Sequence, residues 1–138
     1  MTNISLAQSY LVKARARLRI LPVLAEEHAW SDVVREAQEI VELALKGMLR
    51  HVGIEPPKWH DVGSLLEQYR DRFADLSADG VSDLVRLSAR LRKEREFSFY
   101  GDIDFIPTEQ YAEADAARAT DEARRAVDAA TLVIKSQA

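Results

Sequence analysis

Apolar residues return every three or four positions through most of this chain, so helical periodicity dominates the pattern. The clearest run follows Val33, where Val34, Ala37, Ile40, Val41, Ala44, Leu45, Met48, Leu49 and Val52 form one continuous stripe. Ser31 reads as its N-cap with Asp32 in the first turn, and Gly53 stops it before Pro56 and Pro57 forbid continuation. This helix should be central. Ala37, Ala44 and Gly47 are small enough to let a neighbouring helix approach closely.

An earlier helix runs from about Ile4 with Leu11, Ala14 and Leu18 inward, and Pro22 either kinks it or starts a new turn. A third begins near Ser64, where Ser64 and Glu67 have the spacing of a capping box. Asp79-Gly80 breaks the pattern, and a fourth helix carries Val81, Leu84, Val85, Leu87, Ser88 and Leu91. The last starts near Pro107-Thr108 and repeats Ala112, Ala116, Ala119, Ala123, Val127, Ala130 and Ile134. A stripe so rich in alanine packs tightly on a partner but buries little apolar area per residue. No segment sustains strand-type alternation. These elements predict an all-α fold, an antiparallel up-and-down bundle of four to five helices forming a single domain over residues 1–138.

A chain of 138 residues can bury a sufficient core without disulfides or a structural metal. The absence of cysteine removes disulfide scaffolds, Cys-ligated zinc, iron–sulfur clusters and thiol nucleophiles, and fits a reducing cytoplasm. The N-terminal residues lack the order of a signal peptide, and no apolar run nears the ~20 residues that span a bilayer. A soluble cytoplasmic protein with no membrane partner is expected. The formal charge of -4 argues against nucleic-acid binding by bulk attraction. The charge is uneven, however: Lys13, Arg15, Arg17 and Arg19 form one basic stretch, and Arg86, Arg90, Arg92, Lys93 and Arg95 form another. Local basic patches therefore remain available on an acidic whole.

Helical bundles often hold metals through Glu-x-x-His pairs, which project from adjacent turns into the core. The residues three before His28, His51 and His60 are Ala25, Met48 and Pro57, so the pattern is absent and no metal or cofactor is expected. The nucleophile elbow and Gly-rich phosphate loops are missing as well. A helix-turn-helix reader would have to use the helix from Val81 to Phe97, whose length and inward apolar stripe argue against that role.

The most unusual stretch is RLRKEREFSFYGDIDF, residues 90–105, where a charged helix end turns abruptly into aromatics, a glycine and alternating acids. Taken with the long helix from Asp32 to Leu49, the turn Trp59-His60-Asp61-Val62 and the Ala-rich last helix, it resembles HEPN-domain proteins of the small, free-standing prokaryotic kind. The resemblance covers nearly the whole chain. It implies an antiparallel helical bundle, usually a homodimer, often paired with a minimal nucleotidyltransferase as toxin and antitoxin. Many relatives are metal-independent ribonucleases whose signature is an Arg followed by four to six residues and a His. Here Arg95 stands at the matching place, but Tyr100, Gly101 and Asp102 follow and no His occurs. Histidine's ordinary pKa lies near neutrality whereas tyrosine's lies near 10, so Tyr100 does not replace it as a general base without a large shift.

The candidate ligand-binding residues are Arg95, Tyr100, Asp102, His60 and Lys58, with no catalytic residue assigned. Arg95 offers a planar fork of donors to a phosphate, or pairs with Glu96 or an acid of the last helix. Tyr100 either stacks on a base or anchors its loop to the core. Gly101 turns the chain through a positive φ and Asp102 holds that turn. His60 follows Lys58 and Trp59 at a helix entrance, where it meets an anion or caps the helix. His51 favours the negative end of its helix dipole. The expectation is a non-catalytic, HEPN-like nucleotide- or RNA-binding and interaction module beside a nucleotidyltransferase. Its rivals are a divergent ribonuclease using Arg95 with Tyr100, Asp102 or His60, and a purely structural dimeric scaffold.

Overall fold

The computed structural model of the chain describes residues 3–56, 58 and 62–135, with side chains except at positions 3–5, 96, 97 and 99. Among the described residues seven helices follow in order: α1 (Asn3–Leu18), α2 (Leu21–Glu26), α3 (Trp30–His51), α4 (Val62–Gln68), α5 (Ala78–Phe99), α6 (Pro107–Gln110) and α7 (Glu113–Ile134). A 3-10 turn, Arg70–Arg72, lies between α4 and α5. No strand occurs among the described residues; one isolated bridge joins Asp102 to Phe105.

The α3 stripe is the centre of the core, and the residues from Val33 to Leu49 predicted to face inward are buried. Helix α3 packs against α1, α5 and α7. Side-chain pairs fix the directions. Arg17 near the end of α1 donates to Glu36 near the start of α3 at 2.7 Å. Arg95 near the end of α5 likewise reaches Glu39. The four long helices therefore alternate in direction, with α3 and α7 parallel. Those two make the most extensive contact in the bundle. Small residues permit this: α7 buries Ala116, Ala119, Ala123, Ala126 and Ala130. A Cβ placed on Gly47 would come within 3.2 Å of Ile134 Cδ1 and 3.3 Å of the Ala7 carbonyl oxygen.

Helices α5 and α7 are joined by charge. The Arg90 guanidinium grips the Glu122 carboxylate with two N–H donors, its Nε lying 3.1 Å from Oε2. Glu122 is 4% exposed. Burial first, then repulsion from Arg118, lowers the Arg90 pKa from its ordinary value. On the outer face, Arg125 bridges Asp83 at 2.5 Å and Asp121 at 3.1 Å.

Element boundaries depart from the expected ones in four places, each for a local reason. Ser31 does not cap α3 but lies inside it, buried. The cause is the end of α2, where the N–H of His28 donates to Ala25 and that of Ala29 to Leu24, both at 3.0 Å. This Schellman closure puts His28 at φ 56° and makes Ala29 the residue that also starts α3. Ser64 and Glu67 form no capping box at a helix start near Ser64, because α4 already begins at Val62 and Glu67 accepts from Arg70 at 2.5 Å. Asp79 and Gly80 do not break the chain; they sit in the first turn of α5, where Ser77 Oγ accepts the Gly80 N–H at 2.9 Å. Lastly, the final helix is interrupted. Tyr111 is extended and buried, so α6 ends before it and α7 restarts with Asp115 accepting the Ala112 N–H at 2.8 Å.

Candidate functional site

Between Val33 and Leu49 the buried face of α3 carries a polar residue, Gln38. Gln38 falls a helical turn from both Val34 and Val41 and is carried into the α3–α5 interface, where only 6% of it is exposed. Its Nε2 donates weakly to Glu42 Oε2 at 3.5 Å, while its Oε1 is buried with no hydrogen-bond partner among the described residues. An unmet acceptor of this kind costs about 1–3 kcal/mol. Gln38 belongs to the lining of a small cleft, formed on α3 by Gln38, Val41 and Glu42, on α5 by Ser88, Leu91, Arg92 and Arg95, and at the start of α4 by Val62. The cleft volume is about 40 Å³. That is room for about one water molecule or one ligand donor group.

Two guanidinium groups stand at its mouth. Arg95 is half exposed, and its Nη2 lies 3.3 Å from Glu39 Oε1. Glu39 is shared with Arg35 at 3.4 Å, and Glu42 pairs with Lys46 at 3.1 Å. Arg95 thus pairs across to α3, not to an acid of α7. An exposed pair of this sort contributes about 0–1 kcal/mol, so an incoming oxyanion can displace it. Chemically, the cleft lining brings exposed guanidinium groups together with a glutamine whose Oε1 is buried and unmet among the described residues.

The other predicted residues lie elsewhere. Lys58 is exposed in the turn before α4, and His60 lies outside the described residues, as do the side chains of Phe97 and Phe99. Tyr100 is 77% exposed, so it does not anchor its loop in the core. That work falls to Phe105 and Tyr111, whose rings meet edge to face with centroids 5.8 Å apart. Gly101 adopts φ 73°, as expected. Asp102 closes the turn: its N–H donates to the Phe105 carbonyl at 2.9 Å, the return bond is 3.0 Å, and its Oδ1 accepts the Ile103 N–H at 2.7 Å. Neither Lys58, Tyr100 nor Asp102 lines the cleft with Arg95.

Of the remaining histidines, His28 stacks on Trp30 at 5.1 Å, and His51 ends α3 with a buried Nδ1 that has no partner among the described residues. Among the described residues, no group of three or more His, Asp or Glu converges as a metal site. The residues that sequence reasoning missed are Gln38, Ser88 and Arg92. Their signal was present: a glutamine in an apolar stripe, opposite a serine on the facing one.

Comparison with known protein families matches residues 7–137 to the HEPN domain. A search of curated proteins gives no match. The match spans every long helix of the bundle except the first turns of α1, and with it the α3–α5 cleft. The chain belongs to the HEPN domain family.

Proposed function

We propose that this HEPN domain is a nucleotide- or RNA-binding and interaction module that uses the α3–α5 cleft and does not cleave RNA by the family's Arg-and-His mechanism. The observation that carries the reading is that Arg92 and Arg95 line one cleft with Gln38, whose buried Oε1 has no partner among the described residues. A phosphate takes the guanidinium fork in place of Glu39, and a ligand N–H or a bridging water satisfies Gln38. Tyr100, exposed at the end of the same helix, supplies a face on which a base stacks. Lys58 adds a cation in the turn before α4, and Asp102 holds the turn that presents Tyr100.

No histidine follows Arg95 at the family's spacing, which leaves the site without a general base poised near neutral pH. The proposal places the protein in the cytoplasm as a homodimeric single domain, with a minimal nucleotidyltransferase as protein partner and no metal or cofactor. No described helix is long and apolar enough to cross a membrane.

Incubation of the protein with single-stranded RNA, read by gel electrophoresis and by calorimetry, tests the reading. Binding with the RNA left intact is expected. Cleavage abolished by Arg95→Ala would establish the divergent ribonuclease instead, and absence of nucleotide or RNA binding at millimolar concentration would leave only the scaffold.

A further inference from the structure

A second pocket lies on the other side of α5, under the loop that joins it to α7. It is lined by Val34, Arg90, Glu94, Phe105, Gln110, Tyr111 and Asp115 and has a volume of about 220 Å³. Ligand sites for drug-sized molecules run to about 300–1,000 Å³, so this one suits a single ring system. Phe105 and Tyr111 give it an aromatic wall. Its charged groups are one guanidinium and two carboxylates, so it disfavours a phosphate and favours a neutral ligand rich in N–H donors.

The polar groups are held in place. The Tyr111 hydroxyl donates to Glu94 Oε2, and the phenol pKa is raised well above its ordinary value, by burial first and then by Glu94, so the donor stays protonated. Asp115 Oδ2 is engaged by the Ala112 N–H. Arg90 spends Nε and Nη2 on Glu122. A carboxylate has about four acceptor positions and a guanidinium five donors, so Glu94 retains acceptor capacity and Arg90, which lines the pocket, retains N–H donors beyond those given to Glu122.

We infer that this pocket is a guanine site, in which Glu94 accepts from the adjacent N1–H and 2-amino groups of the base and Arg90 donates to its O6. Guanine is the base whose Watson–Crick edge presents two neighbouring N–H donors beside a carbonyl. Adenine turns its unprotonated N1 toward the carboxylate. Uracil flanks its one N–H with two carbonyl oxygens, and cytosine offers one amino group beside two acceptors. Arginine is the commonest partner of guanine O6, and unstacked bases in RNA are read on this edge against aromatic walls. The inference rests on the nucleotide-binding reading and adds a base preference at a place separate from the Arg95 cleft.

Calorimetric titration with GMP, IMP, AMP, CMP and UMP, repeated with short single-stranded RNAs that contain or lack guanine, tests it. GMP is expected to bind at least about tenfold tighter than each of the others, IMP included because it lacks the 2-amino group. Glu94→Gln keeps an acceptor for Tyr111 but turns an amide N–H toward the base, and it should erase the preference. Thr108→Ala, exposed on α6 and outside the pocket lining, should leave the preference intact. Preference shown by GMP alone identifies the free nucleotide as ligand, and preference carried into RNA identifies a guanosine within a strand. RNA bound at Arg95 without base preference, or a preference that survives Glu94→Gln, overturns the guanine site while the Arg95 reading stands. Binding of AMP that Gln110→Ala removes overturns it in favour of adenine. Absence of all binding overturns both.

Discussion

Arg95 of α5 and Glu39 of α3 meet across the mouth of the cleft, with guanidinium Nη2 3.3 Å from Oε1. On the proposed reading, Glu39 competes with a phosphate for the Arg95 guanidinium. Glu39→Gln should raise the affinity for single-stranded RNA several-fold, because a competing carboxylate is removed and one more positive charge is left to the ligand. The same change should cost no more than about 1 kcal/mol of stability, since Arg95 is half exposed. Fluorescence anisotropy and urea denaturation check the two halves. Weaker RNA binding in the variant would show that Glu39 positions Arg95 and does not compete for it.

The Arg90–Glu122 pair behaves differently because Glu122 is buried. Glu122→Ala leaves a guanidinium without its partner between α5 and α7 and should destabilise the protein by about 3 kcal/mol or more. Replacing both groups by apolar residues, Arg90→Met with Glu122→Leu, should recover most of that loss. Denaturant midpoints of the three proteins decide it.

Gly101→Ala should destabilise the turn after α5 severely. The added Cβ would lie 2.4 Å from the Phe105 carbonyl oxygen and 2.6 Å from Pro107 Cδ, at φ 73°. Strain and clash together should cost about 2 kcal/mol or more, read by thermal or chemical unfolding.

Tyr111 sets an alkaline limit. Its folded pKa is raised above the ordinary 10.0, so above about pH 10 the unfolded chain gives up this proton more readily than the folded one. The contribution is complete below pH 10 and is lost as pH rises toward the folded value. Tyr111→Phe removes this proton from the linkage, so stability measured from pH 9 to 11 should fall less steeply than in the parent protein.

The helices were legible in the sequence wherever one face was apolar, because burial of that face and helical spacing are the same signal for α3, α5 and α7. Their ends were less legible. Ser31 and Ser64 have the chemistry of caps, but where α3 starts follows from the closure at His28, and α4 already begins at Val62. Tyr111 breaks the last helix through its burial beside Phe105 and Glu94, the second of them on the preceding long helix. At the candidate site, Arg95 stood out as a cation at an odd helix end. Its partner Glu39 and the cleft residue Gln38 come from a helix more than fifty residues earlier, and only packing brings them to it.

On the proposed reading, Arg95 supplies the guanidinium that holds RNA at the α3–α5 cleft. Anisotropy of a labelled single-stranded RNA, titrated with the parent protein and with Arg95→Ala at low salt, decides whether it does. Saturable binding that weakens about tenfold in the variant, with the RNA uncleaved, is the predicted result. Equal binding by both proteins, or none by the parent, would contradict it.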